Sequence, residues 1–197
     1  MLLYKYRALE NFKNFVDIVL NNCIYAAPYF DMNDPMEGHY VHSLGQMSVD
    51  LIRAIKGEKS RLGICSLSRK KNDPLMWAHY ANGHRGVAIG VEVDREKYDV
   101  RPVDYIGPSH VHNAEVNGGP ETAKRILCHK YQVWHYEEEE RIFVSDGSKF
   151  ANVKVKKVLL GSRMSNQDKG FIKKLLSKIS PEVAVLSKRR SRYTCSA

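Results

Sequence analysis

Apolar and polar positions alternate at the start of the chain, where Leu2-Leu3-Tyr4-Lys5-Tyr6-Arg7 interleaves aromatic and cationic side chains and predicts a strand. Phe12, Phe15, Val16 and Val19 then fall at i, i+3, i+4 and i+7, one face of a helix, and Asn21-Asn22 supply a stop. Cys23 to Phe30 reads as a second strand closed by Pro28, followed by a turn from Asp31 to Glu37. Inside that turn Asn33-Asp34-Pro35 has the chemistry of a helix cap: short side chains fold back on backbone amides, and Pro35 keeps Asp34 out of the helical region. Ser48 to Ile55 predicts a helix with Met47, Val49 and Ile52 inward, ended by a Lys56-Gly57-Glu58-Lys59 loop.

Leu62 to Ser68 predicts a third strand, and Asn72-Asp73-Pro74 starts a short helix through Ala81. Val87 to Val93 is almost continuously apolar around Gly90, the pattern of a strand buried in a sheet. Val100 to Ile106 predicts another strand, Gly107 to Pro120 a loop, and Glu121 to Lys130 a helix. After a glutamate-rich turn come a strand from Arg141 to Val144, an Asp146-Gly147 turn, and a strand from Val153 to Leu160. Ser165 and Asp168 form a capping pair for an amphipathic helix bearing Phe171, Ile172, Leu175, Leu176 and Ile179, and Val183 to Leu186 predicts a last strand. Strands and helices do not alternate regularly, and neither G-x-G-x-x-G nor G-x-x-x-x-G-K-[ST] occurs. The class expected is α+β, with a mostly antiparallel sheet or split pair of sheets flanked by helices.

A length of 197 residues suits one domain, taken as 1–187, with a basic tail at 188–197. No apolar run approaches the roughly 18 to 20 residues of a membrane helix, and no secretory signal is present, so a soluble cytoplasmic protein without membrane partners is expected. Cys23, Cys65, Cys128 and Cys195 form no C-x-x-C pair. The histidine pairs His39/His42, His79/His84 and His110/His112 repeat no ligand spacing, so no metal is expected.

Charge changes the picture most. A net charge of +9 and a pI near 9.3 point to an acidic macromolecule such as nucleic acid. The cations come late, at Lys154, Lys156, Lys157, Lys173, Lys174 and Lys178, and then in Lys188, Arg189, Arg190 and Arg192. A tail that only aids solubility is the competing explanation.

Candidate chemistry concentrates in Trp134-His135-Tyr136-Glu137-Glu138-Glu139-Glu140-Arg141. In an extended chain Glu137, Glu139 and Arg141 share a face. Two carboxylates and a guanidinium could bind sugar hydroxyls and steady an oxocarbenium-like charge, with Glu137 orienting a nucleophile or acting as base. Arg141 would tie Glu139 in place or meet a phosphate. The plainer alternatives are a solvated acidic run and a structural Glu139/Arg141 ion pair. Asp34, Glu37, Glu137 and Glu139 could instead serve a metal-dependent nuclease. Trp77, Tyr80 and Trp134, aromatics beside apolar residues, are more readily core.

Tyr4-Lys5-Tyr6-Arg7, Asn33-Asp34-Pro35-Met36-Glu37, Cys65-Ser66-Leu67-Ser68, Leu75-Met76-Trp77-Ala78-His79-Tyr80, His84-Arg85-Gly86-Val87 and Trp134 to Arg141 together resemble the prokaryotic domain-of-unknown-function family 2971. That family carries K-Y-R, N-D-P-x-E, C-F-S, M-W-x-x-Y and W-x-Y-E-x-E-x-R elements; Leu67 stands here where it tends to place an aromatic. More distantly, the layout looks like the ADP-ribosyltransferase superfamily. That resemblance implies an enzyme using NAD as substrate, of the kind found among toxins and phage-defence effectors, with a nucleic-acid or protein acceptor and a possible antitoxin partner. It implies that Lys5, Tyr6 and Arg7 contact NAD, that Tyr29, Asn33, Asp34, Ser66, Trp77 and Tyr80 line its pocket, and that Glu139 is the catalytic acid group. Lys5 stands where the superfamily has His or Arg.

Overall fold

The computed structural model describes residues 1–42, 47–111, 119–145 and 147–188. In chain order its elements are β1 (Leu3–Arg7), α1 (Phe12–Asn21), β2 (Cys23–Tyr25), β3 (Ala27–Pro28), β4 (Tyr40–Val41), α2 (Val49–Arg61), β5 (Gly63–Ser68), α3 (Pro74–Tyr80) and β6 (Val87–Glu92). They continue with β7 (Asp99–Pro102), β8 (Ser109–His110), α4 (Pro120–Ile126), β9 (Glu139–Val144), β10 (Phe150–Asn152), β11 (Lys154–Leu160), α5 (Asn166–Ile179) and β12 (Ala184–Ser187). Short 3-10 turns occupy Tyr29–Asp31 and Gln132–Glu137. The chain is therefore α+β. It folds as two compact units, one of Met1–Cys23, Lys70–Val93 and Val153–Ala197, the other of Ile24–Arg69 and Asp94–Asn152.

The first unit is built on strands in the order β12-β11-β6-β1. β6 pairs antiparallel with both β1 and β11, while β12 runs parallel to β11. A parallel neighbour needs a crossover of a dozen or more residues, and α5 supplies it. Ser165 caps α5 by accepting from the Asp168 amide at 3.0 Å, and Ile172 and Leu176 turn inward. Gly90, level with Tyr4 and Lys157 on either side, leaves room for both: an added Cβ would lie 3.1 Å and 2.9 Å from them. Trp77 is wholly buried, with the Tyr6 ring edge-on at 5.3 Å and its indole N–H donating to Lys71 O.

The second unit has antiparallel pairs β3/β5, β5/β9 and β9/β7, a β10/β2 pair and a small parallel β4/β8 pair. One core cluster joins Leu62, Ile64, Ala123, Leu127, Cys128 and Phe143; another joins Met47, Ile55, Val111 and Ile126, linking α2 to α4. Cys128 is sealed in the first cluster, and burial pushes its thiol up to about 12.

Several boundaries differ from the sequence expectation. The second strand breaks at Ala26, whose amide donates to Lys149 O, and ends in a 3-10 turn. Asp34 does fold back, accepting from the Met36 amide at 2.9 Å, but it shapes a turn and no helix follows. The α2 helix runs straight through the expected loop at Lys56 to Lys59: Ser48 caps it, and Lys59 is buried against it with its ammonium on Gly38 O at 2.7 Å. Tertiary anchoring overrides the single Gly57. The expected strand from Val100 to Ile106 is shorter, as β7, and the Gly107 to Pro120 loop contains β8 before leaving the described residues. Asp146, His112 and Cys195 also lie outside the described residues.

Two glycines are required by close backbone approach: a Cβ on Gly86 would meet Arg7 O at 2.2 Å, and one on Gly161 would meet His84 O at 2.1 Å. Backbone oxygens cannot swing aside, so Gly86→Ala and Gly161→Ala should each cost about 1–3 kcal/mol or more. Gly57 lies inside α2 with nothing within 4 Å of an added Cβ, so Gly57→Ala should stabilise by about 0.4–1 kcal/mol. Urea midpoints for the three variants should move in these opposite directions.

Candidate functional site

The glutamate run is organised by a reversal of the backbone. Glu137 closes the 3-10 turn, Glu138 takes a left-handed conformation at φ 40°, and β9 begins at Glu139. Only Glu139 and Arg141 therefore share a strand face; Glu137 reaches them from the turn below. The run is not a solvated patch, because Glu137, Glu139 and Glu140 are all buried.

Arg141 is the centre of what they are buried with. Its side chain is 0% exposed, and its guanidinium donates to both oxygens of Glu37, to both oxygens of Glu139 and to Leu127 O. Lys130 lies 2.7 Å from one oxygen of Glu137 and 2.7 Å from Glu139 Oε2. Lys59 lies above Tyr29 and Tyr40 at 4.9 Å and 5.2 Å; burial lowers its ammonium below the ordinary lysine value, and the charge of Glu37 opposes part of that. Three carboxylates thus face three cations. Burial alone would raise the Glu139 carboxyl; Arg141 and then Lys130 overcome it and hold the group well below the usual carboxylate range. Burial likewise acts to neutralise Lys130, and Glu139 and Glu137 outweigh it.

Glu140 points to the other face of β9, where Arg69 holds one oxygen at 2.7 Å and Arg95 the other. The Glu139 amide donates to Tyr105 Oη at 2.7 Å, and Ser68 Oγ donates to Glu137 O at 2.5 Å. In the β5/β9 register Ser66 stands opposite Arg141 and Ser68 opposite Glu139, so the serines and the ion pair share a face.

The expected NAD-binding set divides between the units. Lys5, Tyr6, Arg7, Trp77 and Tyr80 belong to the first; Tyr29, Asn33, Asp34, Ser66, Glu137, Glu139 and Arg141 belong to the second. Tyr6 and Trp77 are core residues, with the Tyr6 hydroxyl donating to Lys70 O at 2.8 Å. Lys5, Arg7 and Tyr80 are half-buried, and Asn33 is exposed. Asp34 serves its own turn and Tyr29 the Lys59 site. Glu139, the expected catalytic acid group, lies in an ion cluster in which Arg141 and Lys130 contact both its oxygens, and Glu137 is likewise held by Lys130. Of the nuclease set, Glu37, Glu137 and Glu139 face guanidinium and ammonium groups, and among the described residues no trio of His, Cys, Asp or Glu is placed to hold a metal.

Sequence reasoning missed Lys130, Lys59, Glu140, Arg69 and Arg95. Charge is unevenly shared: the first unit carries 18 Lys and Arg against 6 Asp and Glu, the second 13 against 16. Exposed Lys173, Lys174 and Lys178 lie on α5 opposite its buried Ile172 and Leu176. Arg189, Arg190 and Arg192 lie outside the described residues; Lys188 is half-buried, 5.0 Å from the Trp77 ring. Among the described residues no helix is long and apolar enough to cross a membrane. No protein-family model matches the chain, and the searches of curated proteins and of solved structures returned no match either.

Removing one anion leaves buried cations under-compensated, so Glu139→Gln should cost about 3–5 kcal/mol at pH 7. In the wild type Glu139 titrates lower folded than unfolded. Its contribution is therefore full above the ordinary glutamate value near 4.3 and is lost as pH falls below it. Asp99, held down to about 2 by hydrogen bonding to Arg101, adds a loss in the same direction. Urea titrations between about pH 7 and pH 3 should show the Glu139→Gln variant losing less stability than wild type on acidification.

Proposed function

We propose that this chain is a nucleic-acid-binding protein whose first unit makes the contact and whose acidic motif is structural. The supporting observation is the charge division, which puts an excess of twelve cations in the first unit while the second is net acidic. A uniform solubilising charge would not divide this way. Within the first unit α5 offers three exposed lysines, Lys173, Lys174 and Lys178, along about 8 Å of the helix, with half-buried Lys169 one turn earlier and no acid in the helix after Asp168. Lys154 on β11 is also exposed; Lys156 is partly neutralised by Glu92 at 3.2 Å. Lysines on a helix make phosphate contacts, which fix affinity and salt dependence more than sequence preference.

A second reading keeps the NAD chemistry. Its support is the placement of Ser66 and Ser68 opposite Arg141 and Glu139 on one sheet face, the neighbourhood that an ADP-ribosyltransferase-like site would use. The ribose–nicotinamide bond would break, nicotinamide leaving with the bonding pair, while an acceptor attacked the ribose carbon and shed its proton. A ribose hydroxyl would then have to displace Lys130 from Glu139 Oε2.

Titration of a short duplex and a single strand across salt concentrations discriminates the two. Four α5 lysines on phosphates, Lys169 included, predict a slope of log Kobs on log salt near −3 to −4. Alanine at Lys173, Lys174 and Lys178 should flatten that slope by about 2 to 3, and Glu139→Gln, assayed where it remains folded, should leave it unchanged. A flat salt response would overturn the first reading. Release of nicotinamide from NAD by the wild type would establish the second, and its absence with nucleic-acid and protein acceptors alike would remove it.

A further inference from the structure

The strands of the first unit bring a second group of cations to one place. β1 and β11 both oppose β6, and β12 follows β11, so β1, β11 and β12 point the same way. Arg7, Leu160 and Ser187 end together around Val87, with Arg7 and Leu160 both in register with Val87 and Ser187 in register with Leu160. Chain leaving or entering that end carries Arg163, Lys188 and the 82–86 loop. The loop is fixed: Asn82, Gly83 and His84 all have positive φ, and His84 O and Gly86 O accept from the Arg163 and Gly161 amides at 3.0 Å each. A histidine at φ 69° is an uncommon conformer for a side chain with a Cβ, and such strain recurs at functional positions.

The His84 ring lies parallel to Trp77, 8° between planes and 6.1 Å between centroids. Its Nδ1 is sealed from solvent without a hydrogen-bond partner among the described residues. An unmet lone pair there costs less than a stranded N–H, which places the proton of the neutral ring on Nε2. His84 thus presents one usable donor. Lys188 is tied to this end by its amide on Leu160 O at 2.9 Å, with its ammonium over Trp77. Neither Lys188, Arg163 nor Arg85 has an ion-pair partner within 4 Å among the described residues; Asp73, which caps α3 by accepting the Leu75 and Met76 amides on Oδ1, is the carboxylate whose charge reaches Lys188.

We propose that this end of the first unit is a phosphate site, with Lys188 and Arg163 as counter-charges and the His84 Nε2–H as the hydrogen-bond donor. Convergent cations that outnumber the carboxylate beside them are complementary to a phosphate dianion. Burial, then Lys188 and Arg163, depress the His84 imidazole, so it is neutral before binding; an anion beside it reverses that influence. The ligand class is a phosphate group, either free or terminal on a nucleotide.

The test is a titration of the full chain at pH 7 and constant ionic strength with inorganic phosphate, AMP or adenosine, following the His84 ring nitrogens by NMR and Trp77 by fluorescence. Saturable shifts with phosphate and AMP, none with adenosine, and about tenfold weakening in Arg163→Gln and in Lys188→Gln are expected. AMP much tighter than phosphate would assign a nucleotide; equal affinities would assign the free anion. Absence of a saturable His84 shift, or affinity unchanged in both variants, would overturn the proposal. The alanine variant at Lys173, Lys174 and Lys178 should keep the His84 response, so loss of nucleic-acid binding and loss of this site are separately readable.

Discussion

A guanidinium removed from water must be matched almost completely, and the second unit is arranged around doing so for Arg141. Its five N–H groups find Glu37, Glu139 and a helix-end carbonyl at Leu127. Those partners come from a turn, from the same strand and from the end of α4. The ion cluster therefore fixes where three otherwise loosely connected segments lie. Lys130 and Lys59 bring the formal charges to three against three, without which the third carboxylate would be buried at a large desolvation cost. Such a cluster specifies an arrangement more than it adds stability, since an apolar replacement of equal volume could stabilise as well.

The same cluster explains why two motifs far apart in the chain belong together. The glutamate of Asn33-Asp34-Pro35-Met36-Glu37 and the arginine of the Trp134 to Arg141 stretch are the two halves of one bidentate pair, 104 residues apart. Acid-rich sequence attracted a catalytic interpretation because nothing in one dimension shows that every oxygen is already taken. Once the partners are known, the acidic motif is seen to hold the Glu37 turn, β9 and the end of α4 together.

Elements with strong periodicity were legible in the sequence. The amphipathic spacing of α1 and α5, the Asp73-Pro74 start of α3 and the apolar run of β6 all appear where the pattern put them. What failed to read was decided at long range. The α2 helix passes Gly57 because Lys59 is anchored on Gly38 O, the strand after Cys23 breaks because Ala26 bonds to Lys149, and the two-residue β4 and β8 exist only through each other. Trp77 is core, as aromatics beside apolar helix residues usually are, and Tyr6, assigned to an NAD site by resemblance, is core as well.

The order of the segments also bears on how the protein is made. Every residue of the second unit has been synthesised once Asn152 is added, whereas the first unit holds the opening strand yet lacks β11, α5 and β12 until the end of the chain. During translation the earlier-completed body can consolidate on the ribosome while β6 waits with one long edge unsatisfied. High sequence separation of this kind slows folding and lengthens the interval in which a bare apolar strand can meet a neighbouring nascent chain.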